Sequence, residues 1–127
     1  MAVADVETGE ILAIANYPSF NPNDPKKYPA DQKRNRAITA TYEPGSTFKP
    51  FTIATAIEEG KVNLNQTFVC DGGEDVGGWR IKCHKVSGHG TINLQQAIAF
   101  SCNDVLMQVA NLEGAPLFTD YQSRFGF

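Results

Sequence analysis

Alternating apolar and polar positions near the start of the chain predict a β-hairpin over residues 2–16, with strand-like runs Val3 to Val6 and Glu10 to Ala15. Thr8-Gly9 lies between them, where glycine supplies the positive φ of a tight turn. Two strands are marginal by themselves, so this pattern calls for partner strands that the rest of the chain hardly offers. Pro18, Pro22, Pro25 and Pro29, interleaved with Asn21, Asn23 and Asp24, then predict a loop from Tyr17 to Lys33.

Pro44-Gly45 breaks the chain before a helical pattern, Ser46 to Glu59, that stops at Gly60 and places Phe48, Ile53, Ala56 and Ile57 on its apolar surface. Pro50 falls in the first turn, where a missing N–H costs least. This arrangement puts Ser46 at a helix N-terminus, among unpaired N–H groups. The glycine-rich stretch Asn65 to Gly90 reads as irregular or short-strand structure. Asn93 with Gln96 forms a capping-box pattern for a helix running to about Phe100. A further helix spans Asn103 to Glu113, ends at Gly114 and carries Leu106, Val109 and Ala110 on its buried stripe; Pro116 opens a last one ending near Gly126. A hairpin followed by a mostly helical remainder belongs to the α+β (mixed α/β) class.

The 127 residues suit one compact domain. The net charge of -3, with both signs interspersed, lacks the basic footprint of a nucleic-acid binder, and the basic run Lys26 to Arg36, bracketed by prolines, reads as a solvated loop. The longest aliphatic stretch, Ile11 to Ala15, falls far short of the ~20 apolar residues of a membrane span. Met1-Ala2-Val3-Ala4-Asp5 lacks the basic and apolar regions of a secretory signal, so the compartment has to be inferred from elsewhere.

Ser46-Thr47-Phe48-Lys49 sets a serine and a lysine three apart on one helix face, within reach of each other. A serine hydroxyl needs a base to take its proton, and a lysine whose pKa is lowered by burial can serve. The bare pattern is common, and by itself an exposed helical pair fits it better than a catalytic one. Ser101-Cys102-Asn103 changes the weighing: it falls at a break between two predicted helices, where a hydroxyl and an amide can project together into a cleft. Ser-x-x-Lys with a second serine/asparagine element is part of the signature of penicillin-recognising enzymes.

Tyr42-Glu43-Pro44-Gly45-Ser46-Thr47-Phe48-Lys49-Pro50-Phe51-Thr52 resembles the nucleophile segment of class B penicillin-binding proteins. Thr8-Gly9-Glu10-Ile11-Leu12-Ala13 and Pro18-Ser19-Phe20-Asn21-Pro22-Asn23 resemble the strand and loop before it, and Gly88-His89-Gly90, Ser101-Cys102-Asn103 and Phe125-Gly126-Phe127 the stretch after it. The resemblance covers essentially the whole chain and implies part of a transpeptidase domain of the penicillin-binding protein/serine β-lactamase-like fold. It implies that Ser46 is acylated by the D-Ala-D-Ala end of a peptidoglycan stem peptide or by a β-lactam, that Lys49 is the general base, that Ser101 relays a proton to the leaving group and that Asn103 hydrogen-bonds the substrate amide.

The implied setting is the extracytoplasmic face of a bacterial membrane, in cell division or cell shape, with other cell-wall synthesis proteins as partners, no nucleic acid, and no cofactor required for catalysis. The family's Lys-[Ser/Thr]-Gly element has no counterpart here, since Lys85-Val86-Ser87-Gly88 is one residue too long and misplaced in the order. The resemblance therefore implies a fragment, inactive by itself and without the family's N-terminal membrane anchor. A serine β-lactamase or β-lactam sensor of the same superfamily shares Ser46-x-x-Lys49, and a non-catalytic binding or scaffold domain that retains the motif is the alternative from another class.

The cysteines number three, so at least one stays free or pairs outside the chain. Cys70, Cys83, His89 and Asp104 make an acceptable tetrahedral zinc set, with His84 as an alternative ligand. A Cys70–Cys83 disulfide and unlinked thiols account for the same residues equally well.

Overall fold

Asp5 ends the first strand earlier than the apolar pattern does. In the computed structural model, which describes all residues Met1–Phe127, its Oδ1 accepts hydrogen bonds from Glu7 N, Thr8 N and Thr8 Oγ1, and its carbonyl accepts from Gly9 N. This side-chain turn draws Val6 out of the ladder. Strand β1 (Ala2–Ala4) pairs antiparallel with β2 (Ile11–Ile14), Ala2 opposite Ile14 and Val3 opposite Ala13. The two form a sheet of their own, with every residue exposed, and the partner strands that the sequence calls for are not in this chain.

The loop that follows holds two 3-10 turns, Pro25–Lys27 and Ala30–Lys33, and one helical turn, α1 (Arg36–Thr39). Asn16 Nδ2 donates to Asn35 Oδ1 at 2.9 Å, and Arg36 pairs with Asp31. These elements belong to the first of two compact units, Met1–Glu43; the second is Pro44–Phe127.

In the second unit the helix pattern at Ser46 divides in two: a 3-10 turn, Gly45–Phe48, precedes α2 (Lys49–Glu58). Pro50 explains the division. It has no N–H to give the Ser46 carbonyl four residues back, so the Lys49 N–H bonds that carbonyl and the turn tightens. The buried face of α2 is Thr52, Ile53, Thr55 and Ala56, whereas Ile57 is exposed and Phe48 half-buried.

The glycine-rich stretch forms two small antiparallel sheets. Strand β3 (Thr67–Cys70) pairs with β6 (Gly90–Asn93), Cys70 opposite Gly90, and β4 (Gly73–Val76) pairs with β5 (Trp79–Lys82) across Gly77-Gly78, both at positive φ. Two glycines let this segment fold back on itself: a Cβ at Gly72 would lie 2.0 Å from the Val86 carbonyl oxygen, and one at Gly88 would lie 2.2 Å from that of Cys70.

Helix α3 (Leu94–Ala99) begins at the expected Asn93–Gln96 capping box, with both reciprocal bonds formed. Helix α4 (Asn103–Glu113) packs against α2, α3, α5 (Ala115–Arg124) and strands β3 to β5. Val105 and Val109 on it are fully buried and Leu106 nearly so, while Ala110 is only half-buried, so the stripe is centred one position earlier than its sequence suggests. Each such side chain contributes about 1.5–3 kcal/mol by burial, and together they fix the start of α4, where the candidate site residues lie.

Candidate active site and adjacent metal-ligand cluster

Ser46 is exposed on its 3-10 turn, and Lys49, one turn on, is half-buried. Lys49 Nζ donates to Ser101 O at 2.7 Å, Ser101 Oγ at 2.8 Å and Asn103 Oδ1 at 2.7 Å, which occupies all three ammonium protons. Ser101 Oγ donates in turn to Ser46 Oγ at 3.1 Å. The sequence spacing anticipates direct contact between Lys49 and Ser46; the structure instead joins them through Ser101. Burial lowers the Lys49 pKa from the usual lysine value, opposed by the Cys102 and Cys83 thiols nearby. That shift favours the neutral amine a base requires.

Ser101 occupies the turn between α3 and α4 at φ 49. Asn103 opens α4, yet its side chain does not cap it: Oδ1 accepts from Lys49, and Nδ2 donates to Lys82 O at 3.5 Å. The four residues of the expected catalytic set thus converge. The Lys85-Val86-Ser87-Gly88 run lies in a turn with Gly88 N bonded to Lys85 O, on no strand.

Beside Ser101 a second cluster forms. Ligand atoms of Cys70, Cys83, His89 and Cys102 lie within 4.8 Å of one another, all three thiols being buried and unlinked. Cys70 Sγ is 3.4 Å from His89 Nδ1, and Cys83 Sγ is 3.8 Å from the same nitrogen and 3.9 Å from Cys102 Sγ. Zinc bonds of ~2.3 Å to sulfur and ~2.0 Å to nitrogen place tetrahedral ligand atoms ~3.5–3.8 Å apart, so this donor set fits the ion.

Burial would raise the Cys83 pKa, but N–H donors of Lys85, Asn103 and Asp104 outweigh it and bring the value down. Burial pushes Cys102 up to about 12 and, with His84 and Lys85 adding to it, lowers His89, which favours the neutral imidazole.

Asp104 is a correction to the ligand set read from sequence. Its Oδ2 accepts from Asp71 N, Gly72 N and Gly73 N at 3.0, 3.3 and 3.2 Å, and its Oδ1 accepts from Gln108 Nε2 at 2.7 Å. Oδ2 is committed to holding the 71–73 turn and Oδ1 to Gln108, so the fourth candidate ligand atom is Cys102 Sγ instead. His84 is exposed and outside the cluster.

The family model for the penicillin binding protein transpeptidase domain matches residues 1–127. The chain belongs to this family. It is 38% identical to stage V sporulation protein D of Bacillus subtilis over 95% of its own length and 19% of that protein's, and 35% identical to the peptidoglycan D,D-transpeptidase FtsI of Escherichia coli K12 over 98% and 21%. The solved D,D-transpeptidase domain of a peptidoglycan glycosyltransferase from Eggerthella lenta superposes with a TM-score of 0.86 at 31% identity, covering 99% of this chain and 32% of that one. Pseudomonas aeruginosa PBP2, solved in complex with WCK 5153, shares the fold at a TM-score of 0.88 and 24% identity, over 99% and 31%. The chain spans about a fifth of the length of the curated relatives it matches.

Within this transpeptidase domain, sequence reasoning missed Cys102 because it stood as the spacer of Ser-x-Asn. A signal was present: twelve residues separate Cys70 from Cys83 and twelve separate His89 from Cys102, and the odd cysteine had no other assignment.

Proposed function

We propose that the protein carrying this chain is a peptidoglycan D,D-transpeptidase acylated at Ser46. The observation that carries this reading is the hydrogen-bonded line from Lys49 Nζ through Ser101 Oγ to Ser46 Oγ, at 2.8 and 3.1 Å. With Lys49 neutral, Ser46 Oγ attacks the carbonyl of the penultimate D-Ala. The Ser46 proton passes to Ser101 Oγ as the Ser101 proton passes to Lys49. Collapse of the tetrahedral intermediate expels the terminal D-Ala, whose amine takes a proton back through Ser101. The amine of a neighbouring stem peptide then attacks the acyl group on Ser46, forming the cross-link and freeing the serine. A β-lactam enters the first half of this sequence and stays on Ser46, and Asn103 contacts the amide of either ligand.

Such a reaction belongs on the extracytoplasmic side of the bacterial membrane, alongside other cell-wall synthesis proteins. No helix of the chain is long and apolar enough to cross a membrane. The test is labelling of the whole protein with fluorescent penicillin: wild type labels and Ser46→Ala does not. Equal labelling of both would refute the assignment.

We further propose that Cys70, Cys83, His89 and Cys102 hold a structural zinc. With four protein ligands and no open position, zinc here would tie the 70–89 segment to the start of α4 and take no part in the reaction. One zinc per chain after purification under reducing conditions, lost in Cys102→Ser, is the expected result; three titratable thiols with no bound metal would contradict it.

A further inference from the structure

Three helices of the second unit end in the same pair of hydrogen bonds. At α2, Gly60 N bonds Ile57 O at 3.0 Å and Lys61 N bonds Ala56 O at 2.8 Å; at α5, Gly126 N bonds Ser123 O at 3.1 Å and Phe127 N bonds Gln122 O at 3.0 Å. At α3, Ser101 N bonds Ile98 O at 2.9 Å and Cys102 N bonds Ala97 O at 2.8 Å. This motif requires a left-handed residue after the helix, which glycine adopts freely. Gly60 and Gly126 fill it at φ 61 and 88, whereas Ser101, at φ 49, is the one non-glycine residue of the chain at positive φ. Its Cβ crowds the backbone there, yet its hydroxyl and carbonyl are two of the three groups that Lys49 holds.

Both neighbours of Ser101 are anchored to the same segment. The Phe100 ring stacks on that of His89, with centroids 5.3 Å apart and planes 13° from parallel, and Cys102 is fully buried against Cys83. Phe100 remains 45% exposed, so burial is not its main contribution; it covers one face of His89. We propose that Phe100 is a positioning residue for the acyl-transfer step: stacked on His89, it braces the N-terminal flank of Ser101 as Cys102 braces the other, and the two keep Ser101 in the left-handed turn that joins Lys49 to Ser46. The inference deepens the acyl-transfer reading and rests on it.

Two substitutions in the whole protein test it, Phe100→Leu, which keeps apolar volume without a stacking face, and Phe100→Tyr, which keeps the ring. Rapid-mixing labelling with fluorescent penicillin separates non-covalent affinity from the acylation rate constant. Phe100→Leu should lower that rate constant about ten- to a hundred-fold, as misplacement of a reacting group does, with affinity little changed, and Phe100→Tyr should restore it. Crystal structures should show Ser101 leaving the left-handed region in Phe100→Leu and keeping it in Phe100→Tyr. Wild-type acylation by Phe100→Leu, equal loss in both variants, or an unmoved Ser101 in Phe100→Leu would each overturn the inference. If wild type takes no penicillin, the acyl-transfer reading fails first, and the two crystal structures still decide whether Phe100 positions Ser101.

Discussion

Lys49 Nζ stands 2.8 Å from Ser101 Oγ, a residue 52 positions away, and directs no hydrogen bond at Ser46, three positions away. In the proposed acyl transfer, base and nucleophile are therefore coupled through the turn between α3 and α4, so the integrity of that turn should matter as much to the reaction as the Ser-x-x-Lys pair itself.

Lys49→Arg keeps the positive charge but removes a usable base, because guanidinium does not deprotonate in the working range. Acylation by penicillin should fall about 10²–10⁴-fold with the thermal midpoint little changed. In wild type the acylation rate should rise with pH as Lys49 deprotonates, and the rise should be centred below 10.5, the ordinary lysine value, because burial disfavours the ammonium. A rate that is flat with pH, or an active arginine variant, would assign the base elsewhere.

Asp104 and Cys102 should separate cleanly. Asp104→Asn weakens the acceptor of three backbone N–H groups in a site 1% exposed and should cost about 1–3 kcal/mol while zinc content stays at wild-type level. Cys102→Ser should lose zinc. Elemental analysis beside denaturant unfolding of both variants provides the comparison.

The helices were largely legible because their start and stop signals are local: the Asn93–Gln96 box opens α3, and Gly60 and Gly114 end α2 and α4, each within one turn of itself. The hairpin tip was not, since the Asp5 carboxylate competes with the strand through hydrogen bonds that an apolar pattern does not register. The Ser101 relay was legible as a motif but not as geometry, because it depends on packing α4 against α2. Asp104 looked like a ligand because it sits next to the Ser-Cys-Asn element. Only the fold shows its carboxylate aimed away at the 71–73 turn.

Gly88→Ala should destabilise strongly. The new Cβ would meet Cys70 O at 2.2 Å, at a residue with φ 75, so backbone must move in the segment that carries Cys70, Cys83 and His89. A fall in stability of about 3 kcal/mol or more, with zinc affinity falling alongside, is expected from chemical unfolding and metal titration. Gly77→Ala, with nothing within 4 Å, should be milder and leave zinc affinity intact.

Glu113 is buried at the end of α4, neither carboxylate oxygen has a hydrogen-bond partner, and burial raises its pKa from 4.5 to about 7. Below pH 4.5 both folded and unfolded chains are protonated there; between 4.5 and about 7 only the unfolded chain ionises, so stability falls as pH rises and levels off above that range. The loss should be on the order of 3 kcal/mol, and Glu113→Gln should abolish that part of the pH dependence in unfolding measured across the window.

The most direct test of the whole account is the site of the penicillin adduct. Whole protein treated with penicillin and digested should yield, by mass spectrometry, a single modified peptide with the acyl group on Ser46, formed quickly in wild type and slowly in Ser101→Ala. An adduct on Ser101, or one on Ser46 that forms as fast without the Ser101 hydroxyl, would contradict the Lys49–Ser101–Ser46 relay.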